Sequence, residues 1–244
     1  MKKMKIILIM ALILGVFIPS VNAYGWGFKK NDKHTIPEIG IYKEEIAGTN
    51  SYFIGNKSKV YLTFDAGYDN GNIKKIVDIL SELSVPATIF CTGDFIERSP
   101  ELIKYIDDNN VLVGNHMYSH KEINKISYDE LVREINKTEE VYKQITNKEM
   151  VKLFRPPKGE FDRKSLMNIK ALGYKTFFWS IAYVDWNTKD QKGVDYTYNS
   201  VVDNIHDGAI ILMHTVSDDN VRALPKIIKT IRTMGYEFDS IENI

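Results

Sequence analysis

From Lys59 onward the sequence alternates between short β-rich runs and longer amphipathic stretches, and this alternation limits the possible folds more than any other feature. The predicted strands are 60–64, 87–91, 111–114, 152–154, 175–179 and 209–213, with a weaker one at 236–238. The predicted helices are 73–83, 100–107, 128–145, 163–172 and 221–234. Strands and helices that alternate in this way build a parallel sheet or a (β/α) barrel.

Reactive side chains stand at or just after the ends of five of these strands. They are Asp65, His116, Arg155, Asp185 and His214. A (β/α) barrel builds its active site at the carboxyl ends of its strands, so this placement favours a barrel over an open sheet. We therefore predict an α/β fold, a (β/α) barrel with one active site at the strand ends.

The composition limits the possible partners and sites. The chain has 244 residues, which suits one catalytic domain, and its 32 basic residues balance its 32 acidic ones. This balance gives no indication of nucleic-acid binding. Cys91 is the single cysteine, so an internal disulfide and a zinc site built on thiolates are excluded. We infer no obligate protein partner.

The first 23 residues differ from the rest of the chain. Lysines precede an apolar run over 6–18, and Pro19, Ser20 and the small residue Ala23 follow it. This order is typical of a secretory signal, and the run is short for a membrane-spanning helix. We expect a signal peptide over 1–23, a loosely packed leader over 24–57 and a catalytic domain over 58–244. The alternative to cleavage is a retained membrane anchor.

The pair His116 and His120 has three residues between its members, a spacing that can place two imidazoles on one side of a helical turn. Two imidazoles just past a strand can hold zinc or another divalent metal. Asp65 and His214 would add the base and the acid that metal-assisted hydrolysis needs. The alternatives are a turn-forming Asp65 and a His214 that is buried without a role.

Other positions allow more than one interpretation. Arg155 precedes two prolines that fix the backbone, so it can clamp a carboxylate, or it can be a surface residue beside a rigid turn. Trp186 can belong to the core or stack on a sugar ring. His34 and His206 have no partners in the pattern, and we assign them no role.

Taken in order along the chain, five motifs resemble those of the polysaccharide deacetylases of carbohydrate esterase family four. The motifs are Thr63-Phe64-Asp65, His116-Met117-Tyr118-Ser119-His120, Arg155-Pro156-Pro157, Asp185-Trp186 and Leu212-Met213-His214. The resemblance covers about residues 59–240. It implies a deformed (β/α) barrel that removes acetyl groups from N-acetylated sugars with a divalent metal, which we expect to be zinc.

A narrower resemblance is to the delta-lactam-forming de-N-acetylases, which act on muramic acid in spore-cortex peptidoglycan. It rests on residues 64–71, 178–180, 184–186 and 214–217. It implies peptidoglycan glycan strands as the partner and a location outside the cytoplasmic membrane, secreted or attached to its outer face, at the cell wall or spore cortex. The alternatives are a deacetylase of chitin oligomers or acetylated xylan, and a degenerate glycan-binding module.

The resemblance also implies a metal and a base on one side of the site. His116 and His120 would hold the metal, Asp65 would take a proton from the attacking water, and Arg155 would pair with Asp65. The chain departs from the family pattern at one position, because most of the family has a second, metal-binding aspartate where this chain has Ala66. We therefore expect the metal to be weakly bound.

On the other side of the site, the resemblance implies an acid and a substrate pocket. His214 would protonate the departing amine, and Asp185 would orient His214. The backbone N–H of Lys158 would help to stabilise the oxyanion. Trp186 and Leu212 would wall the pocket for the acetyl methyl group.

Overall fold

The computed structural model describes residues 23–30 and 33–244, and strands and helices alternate through most of this part of the chain. The strands are β1 Tyr24–Gly25, β2 Ser51–Tyr52, β3 Lys59–Ala66, β4 Ala87–Cys91, β5 Leu112–Asn115, β6 Leu153–Phe154, β7 Glu160–Phe161, β8 Lys175–Phe177, β9 Ile210–His214 and β10 Glu237–Phe238. The helices are α1 Tyr42–Ile46, α2 Ile73–Glu82, α3 Gly93–Arg98, α4 Pro100–Asp108, α5 Tyr128–Thr146, α6 Arg163–Ala171, α7 Val194–Val202 and α8 Asp218–Thr233.

The main sheet curls into an incomplete barrel, and the predicted α/β barrel architecture is confirmed. Its strands run in the order β10-β3-β4-β5-β6-β8-β2, and β9 also pairs with β3. The pairs within this sheet are parallel. On the other side of β9 the barrel is closed only by two isolated bridges: Ile181, after β8, pairs with Ile211, and Ile54, after β2, pairs with Ala209. This incomplete closure makes the barrel a deformed one.

The main core lies between the barrel and its helices. Strand β4 is buried along its whole length. Helix α2 buries Ile73, Ile76 and Leu80, and α8 buries Ile227 and Ile231, at the spacing that places apolar side chains on one helical face. Burying each such side chain contributes roughly 1.5–3 kcal/mol, so these helices hold the strands in place behind the site.

The expected loose packing of the leader over 24–57 is wrong. The Trp26 ring is buried and stacks on Phe178, with the ring centroids 4.3 Å apart, and its indole N–H donates to the carbonyl oxygen of Trp179 at 2.9 Å. Strand β1 pairs with β7, and β2 adds to the main sheet beside β8. The leader therefore packs as part of the barrel, although the boundary at residue 58 stays a prediction.

The predicted signal peptide lies, apart from Ala23, outside the described residues. Within the part of the chain that the structure describes, no helix combines the length and the apolar character needed to cross a membrane.

Candidate active site

The strand ends surround a cavity of about 880 Å³. Seven of the nine predicted site residues line it: Asp65, His116, His120, Lys158, Trp186, Leu212 and His214. The other two, Arg155 and Asp185, lie behind this lining, and each is hydrogen-bonded to a residue in it. The structure therefore brings the whole predicted set together.

Arg155 anchors one half of the site from inside the barrel. Its side chain is 0% exposed, and its Nη1 donates to Asp65 Oδ1 at 2.9 Å. Its Nη2 donates to Thr63 Oγ1 at 2.8 Å, and its Nε donates to the carbonyl oxygen of Phe177 at 3.1 Å. All three guanidinium nitrogens are engaged, so Asp65 is held in one orientation, and a surface position for Arg155 is excluded.

The charge of Arg155 also sets the ionisation of Asp65. Burial alone would raise the pKa of this carboxyl, but the neighbouring guanidinium holds the pKa below its ordinary value. Asp65 is therefore a carboxylate at neutral pH, with Oδ1 taken by Arg155 and Oδ2 available to the cavity.

The two histidines of the pair do not lie on a helical turn, and that expectation is wrong. Residues 116–120 form a loop after β5, in which Met117 and His120 adopt left-handed φ angles of 64° and 58°. The backbone N–H of Met117 donates to Asn115 Oδ1 at 2.9 Å. This loop still brings the two imidazoles together, with ring centroids 4.8 Å apart.

Glu134, on α5, holds the same loop from behind, and sequence reasoning did not identify it. Its carboxylate accepts hydrogen bonds from the backbone N–H and the hydroxyl of Ser119, both at 2.7 Å, one residue before His120. Glu134 is buried in the apolar stripe of α5, between Leu131 and Ile135. A glutamate at a core-facing helix position is the sequence signal that could have revealed it.

The chemistry of His116 and His120 fits a divalent metal. The Nδ1 of His116 donates to the backbone carbonyl of Arg155 at 2.8 Å, which leaves Nε2 free, 3.7 Å from Asp65 Oδ2. Burial lowers the pKa of His116 to about 4 and also lowers the pKa of His120. Both imidazoles are therefore neutral at pH 7 and can each offer a nitrogen lone pair to a metal ion.

A full set of three protein ligands is not present at this position. Among the described residues, no group of three His, Cys, Asp or Glu side chains could hold a metal ion. Ala66 lines the cavity, and its methyl side chain cannot bind an ion. The two imidazoles fit a divalent ion whose remaining positions water or substrate would fill, and weak binding of that ion stays a prediction.

The other half of the site pairs His214 with Asp185. The Nδ1 of His214 donates to Asp185 Oδ1 at 2.7 Å, and the backbone N–H of His214 donates to Oδ2, also at 2.7 Å. Burial alone would lower the pKa of His214, but the hydrogen bond and charge of Asp185 raise it above its ordinary value. His214 can therefore carry a proton on Nε2 at the cavity side.

Two residues that sequence reasoning missed complete this half. Asn220 donates to Asp185 Oδ2 at 2.7 Å and to the carbonyl oxygen of His214 at 2.9 Å. The hydroxyl of Tyr183 donates to Asn220 Oδ1 at 2.7 Å. Their positions in the sequence carry no periodic or motif signal, because the contacts depend on the tertiary fold.

The remaining predicted residues form the walls. Leu212 is buried, whereas Trp186 is 56% exposed, which excludes a core position for this tryptophan. Lys158 adopts a left-handed φ of 57° on the wall, and its ammonium group pairs with Glu122 at 2.7 Å. An apolar pocket with an exposed aromatic ring at its mouth suits a small acyl group carried on a sugar.

The chain matches known proteins over most of its length. Residues 54–177 match the family model described as polysaccharide deacetylase. The peptidoglycan-N-acetylmuramic acid deacetylase PdaA of Bacillus subtilis is 40% identical over 223 residues, which cover 90% of this chain and 84% of PdaA. A peptidoglycan-N-acetylglucosamine deacetylase of Bacillus cereus is 35% identical over 195 residues, which cover 78% of this chain and 69% of that protein.

Solved structures show the same similarity. The structure of Bacillus subtilis PdaA, a family 4 carbohydrate esterase, matches with a TM-score of 0.88 at 38% identity, covering 91% of this chain and 96% of PdaA. A family 4 carbohydrate esterase from Bacillus anthracis matches with a TM-score of 0.76 at 33% identity, covering 92% and 96% of the two chains.

Proposed function

The chain belongs to the polysaccharide deacetylase family, and from this membership we propose that it removes acetyl groups from muramic acid residues of peptidoglycan. The observation that carries the chemistry is that two residues lining one cavity each have a charged partner behind them: Asp65 pairs with Arg155, and His214 pairs with Asp185. A binding module would need neither a base nor an acid, so these pairs support hydrolysis over a degenerate binding role.

The first step is the attack of water on the acetyl carbonyl carbon. Asp65 Oδ2 accepts a proton from the water, while Arg155 keeps the carboxylate in position through Oδ1. Lys158 lies on the wall of the same cavity, and its backbone N–H would stabilise the negative charge that develops on the carbonyl oxygen.

The second step is the departure of the amine. His214 donates its Nε2 proton to the sugar nitrogen as the bond between carbon and nitrogen breaks, which yields acetate and a free amine. Asp185 stabilises the charged imidazole before this transfer and keeps its Nε2 directed at the cavity. Leu212 and Trp186 enclose the methyl group and exclude water from that side.

A divalent metal would complete this scheme. His116 and His120 would hold it through their free imidazole nitrogens. When bound there, such an ion supplies Lewis-acid polarisation of the carbonyl and lowers the pKa of the water. We propose zinc because the two donors are neutral imidazoles.

The substrate assignment rests on the relatives and on the motifs. The relative PdaA is named as a peptidoglycan-N-acetylmuramic acid deacetylase. Deacetylated muramic acid whose lactyl carboxyl is free of peptide can close to a delta-lactam, the modification expected in spore cortex. A cell-wall substrate also agrees with the basic and apolar N-terminal run, which supports export from the cytoplasm.

The experiment that tests this proposal offers the purified protein three glycans in the presence of zinc. They are peptide-free peptidoglycan strands, peptide-bearing strands and chitin oligomers. Mass spectrometry of the products measures the loss of acetyl and identifies the deacetylated sugar. We expect muramic acid in peptide-free strands to react fastest. Equal or greater rates on N-acetylglucosamine or chitin would overturn the muramic acid assignment and leave the reaction class intact.

A further inference from the structure

Asn220 is a fully buried amide in the first turn of α8, directly behind the pair formed by Asp185 and His214. Its side chain is 0% exposed, and its backbone N–H donates to the hydroxyl of Ser217, the N-cap residue of the helix, at 3.2 Å. The proposed reaction gives Asn220 no role, because it does not reach the substrate.

The partners of Asn220 determine which end of its amide faces which group. The carboxylate of Asp185 and the carbonyl of His214 can only accept hydrogen bonds, so the NH₂ group must face them, at 2.7 and 2.9 Å. The hydroxyl of Tyr183 has its proton free to donate, and it lies 2.7 Å from Oδ1. Burial raises the pKa of Tyr183 well above its ordinary value, so the phenol keeps this proton.

No other common side chain of this size satisfies all three partners. An aspartate would present oxygen to the Asp185 carboxylate and to the His214 carbonyl, and a leucine or alanine would remove one hydrogen bond from each of the three partners. Losing hydrogen bonds inside a buried network costs free energy, so the three partners would shift if the amide were removed.

We propose that Asn220 is a positioning residue that locks Asp185 and the His214 backbone, and so keeps the Nδ1–H of His214 hydrogen-bonded to Asp185 and Nε2 directed at the cavity. Asp185 Oδ2 receives two hydrogen bonds, from Asn220 and from the backbone of His214. These bonds turn Oδ1 towards the imidazole. The geometric part of this inference is independent of the substrate, and only its effect on turnover rests on the proposed function.

The test compares Asn220→Ala with the unchanged protein by two measurements. Proton NMR follows the downfield Nδ1 resonance of His214, which is identified by its absence in His214→Ala. Kinetics on peptide-free glycan strands separate kcat from KM. In Asn220→Ala we expect the resonance to be lost or strongly shifted and kcat to fall about tenfold, with little change in KM, because one hydrogen bond to a charged group is removed.

Two further variants test whether the effect of Asn220→Ala comes from misfolding. Tyr183→Phe removes only the hydroxyl that fixes the orientation of the amide, and we expect a smaller change of the same kind. Asn199→Ala is a matched control, because Asn199 is exposed on α7 and away from the cavity lining, and it should change neither measurement.

The outcomes separate this inference from the proposed function. A folded Asn220→Ala protein with an unchanged His214 resonance and unchanged kcat would overturn the positioning role. If the unchanged protein deacetylates none of the glycans, the proposed function fails and the NMR comparison decides alone, since loss of the resonance supports the role and retention overturns it.

Discussion

His116 and His214 line the same cavity, yet the protein gives them opposite protonation behaviour. The Nδ1 of His116 faces a neutral carbonyl group, that of Arg155, and burial lowers the pKa of this histidine to about 4. The Nδ1 of His214 faces the carboxylate of Asp185, which raises the pKa of His214. The group behind each ring therefore decides whether the imidazole offers a lone pair to a metal ion or a proton to the substrate.

The two halves of the site also differ in how they are built. In the half around Asp65, the strands of the sheet position the reactive residues, and Arg155 reaches its partners from inside the barrel. In the half around His214, a loop residue and a helix residue, Asp185 and Asn220, form the supporting network. The ladder between β3 and β9 joins the halves, because Asp65 and His214 are paired residues in its register.

The largest effect is expected for the base. Asp65→Asn keeps an acceptor for Arg155, so the protein should fold, but an amide cannot take a proton from water. We expect kcat to fall about 10³-fold. Steady-state kinetics with circular dichroism as a folding check would measure this. Asp94→Asn is the control, because Asp94 lines the same cavity but pairs with Arg98, and it should keep most of the turnover. Unchanged turnover in Asp65→Asn would remove Asp65 from the mechanism.

Replacing each histidine in turn tests directly whether His214 acts as the acid and His116 holds the metal. His214→Ala removes the acid, and we expect a loss of turnover of about 10²–10³-fold with bound metal unchanged. His116→Ala should instead lose bound metal. Metal analysis of both folded variants, with turnover measured in parallel, gives the comparison. Loss of metal in His214→Ala would reassign His214 as a ligand and end the division of roles.

Much of the half around Asp65 can be predicted from the sequence. Each of the six stronger predicted strands ends within two residues of the observed end. The polar residues at those ends had to converge once the sheet was parallel. The apolar runs were sufficient to locate these strands, because a parallel strand that is buried on both faces has a continuous run of hydrophobic residues.

The supporting contacts could not be predicted in the same way. Asn220 and Glu134 contact the site through hydrogen bonds between elements, and no local pattern encodes such bonds. The buried leader is a similar case, since the Trp26 side chain meets Trp179, 153 residues further along the chain. The left-handed residues of the histidine loop could not be predicted either, because Met117 is not a residue type that favours that conformation, and the enrichment of histidine in it does not identify a single position.

A smaller effect is expected on the pH profile. His214 must be protonated to act as the acid, so turnover should fall as the pH rises through its pKa, which lies above the ordinary 6.5. Asp185→Asn removes the charge that raises this pKa. The alkaline limb of the kcat/KM profile should therefore move to lower pH, with a loss of about tenfold at neutral pH.

The control for this profile is Asp190→Asn, since Asp190 is exposed and pairs with Lys192. It should leave the alkaline limb in place. An alkaline limb that stays fixed in Asp185→Asn would show that another group limits the reaction at high pH, and that Asp185 does not set the protonation of His214.

The smallest effect is expected for zinc affinity when Ala66, which supplies no metal ligand in the half around Asp65, is replaced by aspartate. Ala66 is 2% exposed, so the carboxylate of Ala66→Asp would be buried, and we expect the metal-free variant to melt below the unchanged protein. A metal that this carboxylate helps to bind would offset the cost, since a ligand of the folded state stabilises it by mass action. Calorimetry should show zinc binding several-fold more tightly, and added zinc should raise the melting temperature of the variant more than that of the unchanged protein. Ala182→Asp places a carboxylate elsewhere on the cavity wall and should show neither change. Equal zinc affinity in all three proteins would mean that position 66 does not face the ion, and that the weakness of the site has another cause.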